Sequence, residues 1–287
     1  MLRGLKHHQA QRDLHADISA LQRIGRLPRP AEDSELASAI PQPVVPEKLA
    51  VPISENVTIR EPARAEVTPA LPVQEETMQP GEFERRFEEL RTQVLACTKC
   101  PNLVAFRHTV VFGVGNPGAE LMFVGEAPGA DEDMQGEPFV GRAGQLLTKI
   151  IQTMGYQRSD VYIANVLKCR PDIPLGTPGN RPPSPTEMET CLPYLRRQIE
   201  LIRPKLMVAL GATAMRGLFG TVEPMKQLRG RWHEFNSIPV MATFHPSYLL
   251  KNQALSEKRK VWEDMLLVLD RLGRPITERQ KNYFLAR

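Results

Sequence analysis

The chain has 287 residues, and residues 1–82 hold ten of its 26 prolines but no Phe, Tyr, Trp or Cys. A segment without aromatics buries too little apolar surface to offset the entropy of ordering it, which predicts a long disordered Pro-rich tail over 1–82, a folded domain over 83–272 and a carboxyl-terminal extension over 273–287. Beyond the tail, 28 basic residues against 21 acidic ones permit a polyanionic partner without establishing it, and the lack of any run near the roughly 20 apolar residues that span a bilayer, or of a secretory signal at the start, predicts no membrane association and a cytoplasmic location.

Within the tail, Leu14, Ile18 and Leu21 recur at helical spacing, so a short helix is expected over 13–25, ended by Gly25 and Pro28. It reads as a transient helix in an extended arm, and the arm is where another protein could dock. The folded part opens with a helix from Glu82, whose Phe83, Phe87, Leu90 and Val94 share one face, and leads into Cys97-Thr-Lys-Cys100. Leu121-Met-Phe-Val124 is a buried strand that runs into Gly125-Glu-Ala-Pro-Gly129, and 131–141 is a polar loop carrying Pro138-Phe-Val-Gly141.

A helix is predicted over 143–154, then a second strand over 160–169 with Asn165 near its carboxyl end. The Pro- and Gly-rich stretch 170–185 is neither helix nor central strand. A helix over 186–202, a third strand over 205–211, a short helix over 212–218 and a fourth strand over 239–244 follow, the last running into His245-Pro-Ser-Tyr-Leu-Leu250. Strands alternating with helices imply an α/β fold, a three-layer doubly wound sheet with a parallel four-stranded core. Ligands of such sheets sit at the carboxyl ends of the strands, so Glu126 and His245 could face one pocket and supply acid/base or charge-stabilising groups.

Cys97, Cys100, Cys169 and Cys191 are the only cysteines. Four thiolates in a chain expected to be cytosolic suggest a structural metal centre, and spacing leaves zinc and an iron–sulfur cluster both open. Such a centre would tie the amino-terminal helix to the sheet and to the start of the 170–185 loop.

The joint occurrence of Gly-Glu-Ala-Pro-Gly at 125–129, Pro-Phe-Val-Gly at 138–141, Asn165 before Cys169 and His-Pro-Ser-Tyr-Leu-Leu at 245–250 resembles the family 4 uracil-DNA glycosylases, the iron–sulfur members of their superfamily. The resemblance implies a DNA repair enzyme that acts on uracil-containing DNA and holds a 4Fe-4S cluster on Cys97, Cys100, Cys169 and Cys191. It implies that Phe139 stacks on the extruded uracil, that the Asn165 amide reads its O4 and N3–H edge, that His245 donates to O2 as the base leaves, and that Glu126 positions or deprotonates water. Backbone groups of Glu126, Ala127 and Pro128 would line the pocket; several related families place an Asp where this chain has Ala127. Ser247, Tyr248 and Leu249 would meet DNA, with an apolar wedge filling the gap left by the base. Arg181 and Lys251 are candidates for phosphate contacts, as are Ser184, Arg229 and Arg231. Competing functions are a uracil-DNA binder without turnover and a zinc-stabilised nucleotide-binding α/β module. Covalent capture of the kind seen in one branch of the superfamily is disfavoured, because 170–190 contains no His.

Overall fold

The computed structural model describes residues 81–285 apart from 175, 176 and 178, so the expected tail and its helix over 13–25 lie outside the described residues. In chain order the elements are α1 (Glu82–Leu95), α2 (Pro101–Phe106), β1 (Val114–Gly115), β2 (Leu121–Gly125), α3 (Ala130–Gln135), α4 (Arg142–Thr153), β3 (Tyr162–Asn165) and α5 (Pro185–Ile202). These are followed by β4 (Leu206–Leu210), α6 (Ala212–Phe219), α7 (Met225–Leu228), β5 (Trp232–Phe235), β6 (Ile238–Thr243), α8 (Pro246–Lys251), α9 (Leu255–Arg271) and α10 (Glu278–Lys281). No helix among them is long and apolar enough to cross a membrane.

The strands form one sheet in the order β1-β3-β2-β4-β6-β5. The four central strands are parallel, as their unbroken apolar runs predict, and every residue of β2, β3 and β4 is buried. Alternate side chains go to opposite layers: Met122, Val124, Met207 and Ala209 pack with α1, α5 and α6, whereas Leu121, Phe123, Val208 and Met241 pack with α4 and α9. A period of two with both faces covered is what a doubly wound sheet requires. The expected second strand over 160–169 is shorter than its apolar run; past Asn165 the chain still pairs, Val166 and Leu167 donating to the carbonyls of Gly125 and Glu126, before it turns away.

Both sheet edges are antiparallel additions that the apolar runs did not signal. β1 is two residues long, and β5 pairs with β6 through a two-residue turn in which Asn236 and Ser237 both have positive φ, 50° and 63°. Turns of that handedness match the twist of the flanking strands. α9 was also not expected, although Val261, Met265, Val268 and Leu269 recur at helical spacing and are buried. The carboxyl-terminal extension folds back on this layer: the indole of Trp262 donates to the Gln280 carbonyl, and the Gln280 amide donates to the carbonyl of Thr153.

The loop expected over 131–141 contains α3, and it ends in a tight passage. Phe139 is left-handed at φ 55°, a conformation rarely adopted by a bulky residue. Gly144, in the first turn of α4, lies against the carbonyl of Phe139 so closely that a Cβ there would collide with backbone. Gly144→Ala is therefore expected to lower unfolding free energy by about 1–3 kcal/mol, measured by denaturant titration; an unchanged midpoint would show that the loop yields without cost.

Candidate active site

The carboxyl ends of β2, β3 and β6 carry the groups singled out in the sequence. Gly125, the last residue of β2, forms the floor. A Cβ at this position would run into the Asn165 Oδ1 and into the Phe139 ring, 2.6 Å from Cε2 and Cζ, so Asn165 and Phe139 meet over a residue that has to be small. Phe139 also faces the His245 ring, with centroids 5.5 Å apart and planes inclined at 33°. Residues from four separate segments thus converge above β2.

Asn165 is 2 % exposed, and its Oδ1 is buried without a hydrogen-bond partner. A buried carbonyl left in this state costs on the order of 1–3 kcal/mol, and such an atom calls for a ligand donor. His245 caps α8: its Nδ1 accepts from the backbone N–H of Ser247 at 3.2 Å and lies 2.8 Å from the Ser247 hydroxyl. A ring nitrogen that accepts from an amide is unprotonated, which places the imidazole proton on Nε2. Burial pushes His245 down to about 4, opposed only weakly by the charge of Glu132, so the ring is a neutral donor near pH 7. Glu126 is half-buried, and its carboxylate has no hydrogen bond or ion pair among the described residues. Pro128 is buried, and Ala127 packs on the core beside it.

The residue that assembles these loops lies outside the sequence motifs. Glu132, in the first turn of α3, accepts from the Gly129 N–H through Oε2 and from the Val140 and Gly141 N–H groups through Oε1, each at 3.0 Å. One carboxylate so joins the 125–129 loop to the 138–141 loop. The Arg158 guanidinium holds the Pro138 carbonyl from the other side, and Phe139 is fixed in its left-handed conformation between them. The Gly129-x-x-Glu132 spacing is that of a helix-capping carboxylate, a signal available before any coordinates. Next to it, the fully buried Asp133 accepts from the backbone N–H groups of His108 and Thr109.

A second clamp stands behind His245. The Asp264 carboxylate is buried, receives two hydrogen bonds from the Arg229 guanidinium at 2.6 and 3.2 Å, and accepts from the Thr243 hydroxyl at 2.6 Å. Thr243 ends β6, two residues before His245.

The residues expected to meet DNA divide. Lys251 is exposed and has no partner among the described residues. Ser247 is engaged by His245, and Tyr248 stacks on Phe244 at 4.5 Å while donating to Glu257. Leu249 departs from the expected wedge: it is 5 % exposed and packs with Phe244 and Val261, because 246–251 coils into α8 and turns this side chain inward. Arg181 likewise has other partners, since its guanidinium binds Asp172 and Glu187 and holds the Glu187 carboxyl down at about 2. Arg229 is committed to Asp264, and Ser184 caps α5.

Cys169 follows Asn165 by four residues, and the other three cysteines sit at 97, 100 and 191. Cys169 and Cys191 are buried, Cys97 and Cys100 half-buried, and the charges of Cys97 and Cys100 act on Cys169 as those of Cys169 and Cys97 act on Cys191. Burial raises the thiols of Cys100 and Cys169 and pushes Cys191 up to about 11. Donors face the sulfurs: Arg107 Nη1 lies 2.8 Å from Cys169 Sγ, and the Lys168 N–H donates to Cys191 Sγ at 3.2 Å. Among the described residues, no three His, Cys, Asp or Glu side chains converge on the position of a single ion.

A family model described as the uracil DNA glycosylase superfamily matches residues 112–266. A type-4 uracil-DNA glycosylase of Thermotoga maritima is 45 % identical over 184 residues, 63 % of this chain and 92 % of the relative, and one of Archaeoglobus fulgidus is 42 % identical over 179 residues, 60 % and 86 %. A type-5 uracil-DNA glycosylase of Pyrobaculum aerophilum is 30 % identical over 200 residues, 58 % and 84 %.

The depressed His245 basicity has a consequence for stability. Its folded value near 4 lies below the ordinary 6.5, so between these values the unfolded chain binds a proton that the folded chain refuses, and stability is lost as pH falls through that window. His245→Asn removes this contribution. The expected result is a parent-minus-variant difference in thermal midpoint that shrinks from pH 7 to pH 4; a difference independent of pH would count against a neutral, desolvated ring.

Proposed function

We propose, since this chain belongs to the uracil-DNA glycosylase superfamily, that it is a DNA repair glycosylase that extrudes deoxyuridine from DNA and hydrolyses its N-glycosidic bond, releasing uracil and leaving an abasic site. The observation that carries the reading is the unpartnered Asn165 Oδ1, buried beside the Phe139 ring. Uracil offers N3–H to this oxygen and O4 to the amide N–H of the same side chain, whereas cytosine presents the reverse pattern. Extrusion costs roughly a few kcal/mol of lost stacking and pairing, and the Phe139 ring supplies a new stacking partner.

Cleavage places negative charge on the departing base. The Nε2–H of His245 donates to the uracil O2, where that charge accumulates, and a neutral donor already fixed by Ser247 needs no reorganisation at that moment. Glu126 takes the remaining role: its unengaged carboxylate orients the water that attacks C1′, accepts the water proton and balances the cationic character of the sugar. Lys251 is suited to a phosphate contact. Within 246–251 an apolar wedge would have to come from a residue other than Leu249.

The four cysteines fit a 4Fe-4S cluster. They would hold it with Cys97, Cys100, Cys169 and Cys191 as its ligands, and the Arg107 and Lys168 donors suit the charge of metal-bound thiolates. These ligands lie just past the end of α1, after β3 and in α5, so a cluster held by them would link those three segments.

Incubation with single- and double-stranded oligonucleotides carrying one uracil, followed by alkaline cleavage, tests the reaction. His245→Ala and Asn165→Ala are each expected to slow strand scission by about 10²–10³-fold with the fold retained; rates equal to the parent in both would remove their assigned roles. Purified protein is expected to be brown with about four irons per chain, and Cys191→Ala to be colourless with a lowered thermal midpoint. A colourless parent carrying one zinc would overturn the cluster assignment.

A further inference from the structure

Lys168 is 1 % exposed, and every polar group it has is engaged. Its ammonium donates to the Asn165 carbonyl at 2.9 Å and to the Gln198 Oε1 at 2.6 Å; its N–H donates to Cys191 Sγ at 3.2 Å, and its carbonyl accepts from the Val111 N–H at 2.7 Å. Gln198, itself fully buried, is fixed by donating to the Phe112 carbonyl and the Tyr162 hydroxyl. Among the described residues no carboxylate pairs with this ammonium, whose partners are the Asn165 carbonyl and the Gln198 side chain. A buried donor of this kind is costly to leave without acceptors, so its hydrogen bonds to the Asn165 carbonyl and to Gln198 fix the side chain.

We propose that Lys168 is a positioning residue for base recognition: its buried ammonium holds the main chain of Asn165 while its main-chain N–H holds Cys191, so that the cysteine region and the uracil-reading amide are joined through one residue. This rests on the reading of Asn165 and of the four cysteines given above. The turn from Asn165 to Cys169 contains only Val166, Leu167 and Lys168, and Lys168 alone among them carries a side chain that can hydrogen-bond back to Asn165. A main-chain shift at Asn165 swings its Oδ1 off the N3–H direction, and an orienting contact one step removed from a site is commonly worth about tenfold to a hundredfold in function.

Lys168→Met keeps the stem and removes the donors. Single-turnover uracil release is compared in the parent, Lys168→Met, Asn165→Ala and the double variant, all carrying their metal centre. Expected are a slowing of about tenfold to a hundredfold in Lys168→Met and a double variant no slower than Asn165→Ala, because the two act through one contact. Binding provides a readout apart from turnover. For oligonucleotides with an uncleavable 2′-fluorinated deoxyuridine, Lys168→Met is expected to lose affinity while binding to undamaged DNA stays at the parental level. A parental rate, multiplicative effects in the double variant, or an equal loss of affinity for both oligonucleotides would overturn the inference. Should Lys168→Met show no cooperative unfolding, Gln198→Leu, which removes the second acceptor of the ammonium, is carried through the same cycle, and additivity there overturns it equally. If instead the parent releases no uracil, the fault lies with the proposed function and not with Lys168.

Discussion

The site depends on one carboxylate that faces its own backbone. Glu132 satisfies three main-chain N–H groups from two loops, and charge-assisted bonds of this type are about twice as strong as neutral ones. Together with the Arg158 bond to the Pro138 carbonyl, they hold Phe139 in a backbone conformation that costs on the order of 1–3 kcal/mol. The Phe139 ring in turn closes over Gly125 and against His245. A residue with no part in bond breaking thereby determines where the aromatic surface lies, and the reactive groups are arranged around it.

Much of the architecture was legible because both faces of the sheet are covered. Leu121-Met-Phe-Val124 and Leu206-Met-Val-Ala-Leu210 are apolar without interruption, and only a buried parallel strand tolerates that. The edge strands escaped because they are short and half-solvated: Val114–Gly115 carries no pattern, and Trp232–Phe235 alternates too briefly. The α9 pattern lies in plain helical spacing, with Val261, Met265 and Val268 on one face. For the site, Glu126, Phe139, Asn165 and His245 were picked out by their motifs, and the structure brings Phe139, Asn165 and His245 together directly. What could not be read from motifs was occupation. Arg181 and Leu249 looked available until their contacts were known, since a guanidinium committed to two carboxylates and a leucine turned inward by α8 are results of tertiary packing.

The cysteine region and the base-reading edge share a short stretch of chain. Asn165 and Cys169 are separated by three residues, all buried, and the stretch leaves the sheet while still paired to the 125–126 backbone. The proposed centre on Cys97, Cys100, Cys169 and Cys191 would link this turn to α1 and α5 where the sheet itself ends. The Arg107 guanidinium and the Lys168 N–H face the Cys169 and Cys191 sulfurs in this stretch.

The sheet margins have an effect on how separate copies of the molecule behave. Open strand edges are templates for pairing with another chain. Here one margin is a two-residue strand, and the other is a four-residue hairpin arm bearing exposed Glu234, with Arg231 just before it and the Arg271 guanidinium 4.4 Å from the Trp232 ring centroid. Neither offers the length or the bare apolar face that intermolecular sheet growth needs, so the described margins give a second copy little to pair with.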